Sequence, residues 1–174
     1  MKLKLAYYGN PILRKKAKPV HEINNEIKEL VADMIVAMDE KDGIGLAAPQ
    51  VSVSIALFIT RVPIEKDHDE WDRGDVRVFI NPKILNYSKE EDSFSEGCLS
   101  IPKVYGDVFR PLKITVEATD LDGNNFREEF NNLHARVVLH ENDHLNGVLF
   151  IDRLDTEERK LIDSKLRDIK KKFA

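Results

Sequence analysis

Residues 140–144 read HENDH, and this is where the sequence first offers chemistry. In a helix, positions i and i+4 lie ~40° apart around the axis and about one turn along it, so His140 and His144 project from one face. Their imidazoles can converge on a single metal ion at nitrogen distances of ~2.0–2.1 Å. Glu141 stands beside the pair, where its carboxylate can take a proton from water acidified by that ion. The chemistry implied is metal-assisted hydrolysis.

Two histidines leave the ion short of ligands, and the third decides the class of enzyme. The zinc-protease pattern HExxHxxGxxH is followed as far as Gly147, but Phe150 occupies the place of the third histidine. Where other metallohydrolases place a glutamate on a later helix, this chain has Asp163 and Ser164, with Glu157 and Glu158 as weak substitutes. The single cysteine, Cys98 in Ser95-Glu96-Gly97-Cys98-Leu99-Ser100, is the better candidate. A Cys-His-His set keeps a fourth position for water, and chemistry alone would then name zinc. The stretch Gly43-Ile44-Gly45-Leu46-Ala47-Ala48-Pro49-Gln50 formally fits the dinucleotide pattern GxGxxA. That pattern needs a strand before it and a helix after it, whereas here a helix precedes and Pro49 interrupts. We read it as a loop with exposed backbone, in which Gln50 offers a carboxamide donor for an oxyanion.

These residues need elements to position them. Apolar residues at Ile23, Ile27, Leu30, Val31, Met34, Ile35 and Met38 predict an amphipathic helix between Glu22 and Asp42, stopped by Gly43. Segments Ile55 to Arg61 and Arg77 to Leu85 predict strands, and Lys113 to Asp120 joins Asn125 to Asn131 as a hairpin through Asp122-Gly123. A helix from Leu133 to Asn146 carries HENDH and stops at Gly147. A last helix begins near Asp155, which has capping-box spacing to Glu158, with Leu161, Ile162, Leu166, Ile169 and Phe173 on its core side. The acidic run EKDHDEWDRGD, residues 65–75, reads as a solvated loop or insertion. The class is α+β.

Composition excludes other functions. Of 174 residues, 42% are hydrophobic and 33% charged, which permits a packed core and argues against disorder. The length fits one domain. A net charge of −4 argues against nucleic-acid binding by the molecule at large. Apolar runs such as Ile55 to Ile59 are far below the ~18 residues of a membrane span. No apolar segment of a secretory signal precedes Asn10 and Pro11, and a lone cysteine excludes an internal disulfide, so a cytoplasmic protein is expected.

GIGLAAPQ at 43–50, EGCLS at 96–100 and HENDH at 140–144, in that order, resemble the three signature motifs of the peptide deformylase family, and the likeness extends over most of the chain. The resemblance implies one catalytic domain over residues 1–174, with antiparallel or mixed sheets packed around a central HExxH helix and helices toward both termini. It implies removal of the formyl group from the N-terminal formylmethionine of newly made bacterial proteins, with release of formate; a small HExxH metallopeptidase is the alternative. Cys98, His140 and His144 would bind one divalent ion, Fe2+ foremost, with Zn2+, Ni2+ or Co2+ able to replace it. Glu141 would be the general acid/base, and Gln50 with the Leu99 backbone N–H would hold the oxyanion.

Ile44, Leu133 and Val137 flank the motifs and are candidates for the apolar methionine pocket. Backbone near Gly45 and Gly97 would pair with an extended substrate. Arg110 is expected to pair with Glu96 or Asp143. Leu139 and Asn142 depart from the family pattern, which often has Gln and an apolar residue there. Near the C-terminus Lys165, Arg167, Lys170, Lys171 and Lys172 face only Asp168, which by itself fits a helix end whose cations complement the dipole; the family resemblance, to enzymes acting on nascent chains, adds a ribosome partner contacted through RNA phosphates. Neither membrane nor DNA is an expected partner.

Overall fold

Asn24 starts the first helix by accepting a hydrogen bond from the Ile27 N–H at 3.1 Å, and α1 then runs Asn25–Glu40 with Val31, Met34 and Met38 buried. These coordinates are a computed structural model describing residues 2–173, the His68 side chain excepted, so Met1 and Ala174 at the ends of the chain lie outside the description. The expected stop at Gly43 falls one residue earlier, because Asp42 takes the left-handed conformation with φ 55°. Gly43 is instead a matter of space: a Cβ there would stand 2.9 Å from Leu99 Cδ1.

The next segment corrects the sequence reading. Residues 43–50 contain a short strand, β1 (Gly45–Ala47), followed by a 3-10 turn at Ala48–Val51. Then come β2 (Leu57–Arg61), the two-residue strands β3 (Ile64–Glu65) and β4 (Trp71–Asp72), and β5 (Val76–Tyr87). The acidic insertion is therefore a small hairpin, and its Trp71 is exposed. Two long strands escape the sequence reading, β6 (Glu91–Cys98) and β7 (Ile101–Pro111). The hairpin of β8 (Lys113–Thr119) and β9 (Asn125–Asn131) is found as expected, with Gly123 at φ 87° in its turn. It leads into α2 (Asn132–Leu145), a 3-10 turn at Phe150–Arg153, and α3 (Thr156–Phe173).

The strands form a five-stranded antiparallel sheet in the order β1-β2-β5-β8-β9, a separate β6-β7 ribbon and the β3-β4 hairpin. Helix α2 packs against β1, β2, β8 and β9 on one side and β7 on the other. It is thus the central helix of an α+β fold, clamped between sheet and ribbon. Phe58, Phe79, Phe130, Ala135 and Val138 fill the core between sheet and helix. Leu139 joins that core and is buried, which accounts for an apolar residue at this position. A second core lies under α3, where Ile162, Leu166 and Ile169 meet Ile101, Val104 and Val108 of β7.

Asp155 caps α3 by accepting from the Glu158 N–H at 2.8 Å, but the return bond of a capping box goes elsewhere: the Glu158 carboxylate accepts from the Asp107 N–H. Leu161, assigned to the core side, is 79% exposed, since it sits ~100° around the helix from Ile162. Phe173 is partly exposed and stacks on Tyr7 with ring centroids 3.8 Å apart. No helix among the described residues is long and apolar enough to cross a membrane.

Gly147 ends α2 as expected, at φ 72°, and a Cβ there would stand 2.5 Å from the Arg14 carbonyl oxygen. Left-handed strain and backbone overlap act together at this position. Gly147→Ala is expected to cost ~2 kcal/mol or more of unfolding free energy, measured by urea denaturation, whereas an unchanged midpoint would show that the turn relaxes freely.

Candidate active site

The C-terminal half of α2 turns His140, Glu141, Asp143 and His144 into the protein, a costly arrangement unless each is satisfied. His140 and His144 lie one turn apart with ring centroids separated by 5.2 Å. Cys98, the last residue of β6, faces them: its Sγ is 3.4 Å from His144 Nε2, and the three candidate ligand atoms all lie within 4.8 Å of one another. Donors sharing one ion at ~2.0–2.3 Å in a tetrahedral set stand ~3.5 Å apart, so this spacing fits a shared ion.

Glu96 settles the orientation of His140. Its Oε1 lies 2.9 Å from His140 Nδ1, and an ionised carboxylate only accepts, so Nδ1 carries the proton and Nε2 is left free to ligate. Glu96 itself is buried and held by Arg110 at 2.6 and 3.0 Å and by Arg136 at 2.7 Å. Burial alone would raise its pKa. Hydrogen bonds from His140 and Arg110, with the Arg110 charge, outweigh that and hold the carboxyl well below the usual range. Arg110 also donates to Asp143 at 2.9 Å, and Arg153 grips the same Asp143 at 2.6 and 2.7 Å. Arg110 thus pairs with both carboxylates that the sequence offered it.

Glu141 has the opposite environment. Its Oε1 is buried without a hydrogen-bond partner, and burial lifts the carboxyl to about 7. Nearby charges oppose one another, led by His140, which lowers the value. The carboxylate lies against β1, where a Cβ on Gly45 would stand 2.6 Å from Oε2. Glycine at 45 is therefore demanded by the close approach of Glu141. Gln50 is clamped on both sides of its carboxamide: Oε1 accepts from the Ala47 N–H at 3.0 Å, and Nε2 donates to Ser100 Oγ at 3.0 Å and lies 3.5 Å from Cys98 Sγ. Leu99 lies in the turn between β6 and β7.

A cleft of about 780 Å³ opens over these groups. Ile44, Gly45, Gly97, Leu133 and Val137 all line it, as do Gln50, Cys98, Leu99, His140 and Glu141, while His144 is buried beneath. The donor set of one sulfur and two imidazole nitrogens, with an unpartnered buried carboxylate oxygen beside it, fits a divalent transition ion rather than Mg2+ or Ca2+. Sequence reasoning missed Arg136, Arg153 and Ser100, which brace the site. It also missed the C-terminal turn, from which Asp168, Ile169, Lys172 and Phe173 line the cleft. Arg136 had a signal, since it precedes His140 by one turn of α2.

Comparison with known proteins decides the family. The polypeptide deformylase family profile matches residues 2–160. The chain belongs to the polypeptide deformylase family. It is 41% identical to a peptide deformylase of Christiangramia forsetii over 98% of this chain and 91% of that one. It is 43% identical to one from Psychrobacter cryohalolentis, covering 97% and 88%. Among solved structures, a variant of Arabidopsis thaliana peptide deformylase 1B superposes with a TM-score of 0.90 at 37% identity, covering 98% and 91%. Plasmodium falciparum peptide deformylase gives 0.89 at 35%, covering 98% and 96%. As a deformylase the chain is a metal-dependent hydrolase that removes the formyl group from nascent peptides, and the metallopeptidase alternative is not favoured.

The raised pKa of Glu141 makes a prediction for the metal-free enzyme. A carboxyl whose folded value exceeds its unfolded one, ~4.3, destabilises the fold as pH rises through about 7. Glu141→Gln should therefore raise the melting temperature of metal-free protein at pH 8 and have little effect at pH 5. An equal shift at both pH values would place the Glu141 proton elsewhere.

Proposed function

We propose that Cys98, His140 and His144 hold the divalent ion of this deformylase, that Glu141 carries the proton, and that Gln50 and the Leu99 backbone N–H receive the oxyanion. The observation that carries this reading is the convergence of Cys98 Sγ with two imidazoles, one of which, His140, is oriented by Glu96. A bound ion supplies acidified water and a polarised formyl carbonyl. The rest falls to side chains of the chain itself. Glu141, lifted by burial to about 7, is matched to accepting a proton from water at its carboxylate and returning it to the departing amine. Gln50, its oxygen tied to Ala47, presents an oriented N–H beside Cys98 at no cost of reorganisation.

Substrate placement follows from the cleft. Ile44, Leu133 and Val137 wall a pocket for the methionine side chain. β1 is an edge strand carrying Gly45, and Gly97 lies opposite on β6, so an extended peptide would be held by strand addition between them. We assign Fe2+ from the family resemblance; Zn2+, Ni2+ and Co2+ suit the same donors. Residues 1–174 act as one catalytic domain in the bacterial cytoplasm, where formylated chains emerge. Anaerobic purification with metal analysis and formate release from formyl-Met-Ala-Ser tests this directly.

Two variants separate the roles. Glu141→Gln should keep the ion and lose ~10²–10⁴-fold in turnover, while Cys98→Ala should lose tight metal binding because only two imidazoles remain. A Cys98→Ala protein with stoichiometric metal and normal turnover would show that the third ligand is another residue.

The ribosome is the proposed docking partner of α3, whose Lys165, Arg167, Lys170 and Lys171 are all exposed. A contact with RNA phosphates would be salt-sensitive. Truncation at 167 is a poor test, since it removes the buried Ile169 and the Phe173 that stacks on Tyr7. Reversing these four cations to Glu is expected to weaken cosedimentation at low salt and spare hydrolysis of a short formylated peptide. Undiminished cosedimentation would leave α3 with no part in docking.

A further inference from the structure

The cleft extends well beyond the ion site. At about 780 Å³ it lies in the range of ~300–1,000 Å³ that encloses a whole small ligand, more than one apolar side chain fills. Its outer wall is made by Tyr7, Pro102, Lys103, Tyr105, Lys172 and Phe173. Phe173 stacks on Tyr7, and the Lys172 ammonium lies 5.2 Å from the Phe173 ring.

Lys103 is unusual within this wall. It is an exposed residue of β7 in the left-handed region, φ 61°, a conformation that costs a non-glycine residue and that glycine adopts freely. Such strain persists where the surroundings impose it and concentrates at sites of function. Neither Lys103 nor Lys172 forms an ion pair with a described carboxylate, although the chain's other ion pairs are numerous. Two aspartates line the same cleft: Asp168, one helical turn before Lys172, and Asp42, beside Lys41. Lys41, Lys103 and Lys172 line the cleft with these two aspartates, while the remaining lining acids, Glu96 and Glu141, lie at the ion site.

We propose that Lys103, with Lys172, forms a distal subsite that selects an acidic side chain in the substrate two or three residues after formylmethionine. The proposal rests on the deformylase reading above and adds a specificity to it. A peptide held in extended form advances ~3.3–3.6 Å per residue, so residues beyond the methionine leave the ion site and run along the rim of the cleft. The chemistry recognised is a carboxylate on an extended chain.

The test compares formyl-Met-Ala-Xaa-Ala-amide and formyl-Met-Ala-Ala-Xaa-amide with Xaa as Asp, Asn or Lys, using the metal-loaded enzyme. The amide removes the terminal carboxylate, which would otherwise bind the same lysines. In one of the two series, kcat/KM for Asp should exceed that for Lys by about three- to tenfold at low salt, the scale of one or two exposed ion pairs. The difference should lie in KM and shrink at 0.5 M salt. Lys103→Gly and the Lys103→Met, Lys172→Met double variant should both erase the ratio. Lys103→Gly should do so with a melting temperature at or above that of the parent, which separates lost recognition from a damaged fold. Equal turnover of Asp and Lys peptides in both series, or a ratio that survives both variants, overturns the subsite. Absence of formate from every peptide instead overturns the underlying assignment as a deformylase.

Discussion

The structure depends on a buried carboxylate. Glu96 is buried at the floor of the cleft and accepts from Arg110, Arg136 and His140 at once. An unpaired charge there would be too costly to keep, and the Coulombic attraction between a single pair would not repay its desolvation. The chain meets this with a network, since Arg110 also holds Asp143, Arg153 holds Asp143 from the other side, and Arg136 reaches the Val108 carbonyl. β6, β7, α2 and the turn before α3 each contribute a member. Loss of one partner would strand the others, so these elements are locked in the register that brings Cys98 opposite the two histidines.

The site holds two glutamates, one on β6 and one on α2, whose environments have opposite consequences. Glu96, surrounded by cations, is held ionised and orients an imidazole. Glu141, one residue beyond His140, is buried against β1 with one oxygen left without a donor, and burial lifts its carboxyl to about 7. A carboxylate poised near neutrality can both accept and return a proton, whereas one held far below can only position. The contrast comes from burial with and without donors, and the absence of a side chain on Gly45 is what lets Glu141 approach β1.

The C-terminal helix is part of the cleft as well as its support. Ile162, Leu166 and Ile169 seal the core under β7, and the final turn brings Lys172 and Phe173 to the rim. Its outward face carries exposed cations at the same time. A partner held on that face, as proposed above, would sit beside the mouth of the cleft.

Much of the site was legible in the sequence because its chemistry follows from local spacing. His140 and His144 share a helix face by periodicity alone, Gly147 and Asp122-Gly123 mark their turns, and the three motifs together identify the family. What periodicity could not give was β6 and β7. Their strands place Glu96 and Arg110 inward where a pattern of apolar alternation expects hydrophobic residues, and only a partner from another element makes that tolerable. Segment 43–50 was likewise a loop by its glycines and became an edge strand by pairing with β2. Leu161 was misplaced because a helical stripe has a breadth that only packing defines. The sequence by itself determined which groups could ligate, accept a proton or turn the chain. Tertiary structure decided which charges are buried together, and with them the tautomer of His140, the proton affinity of Glu141 and the walls of the cleft, because each is a property of neighbours distant in the chain.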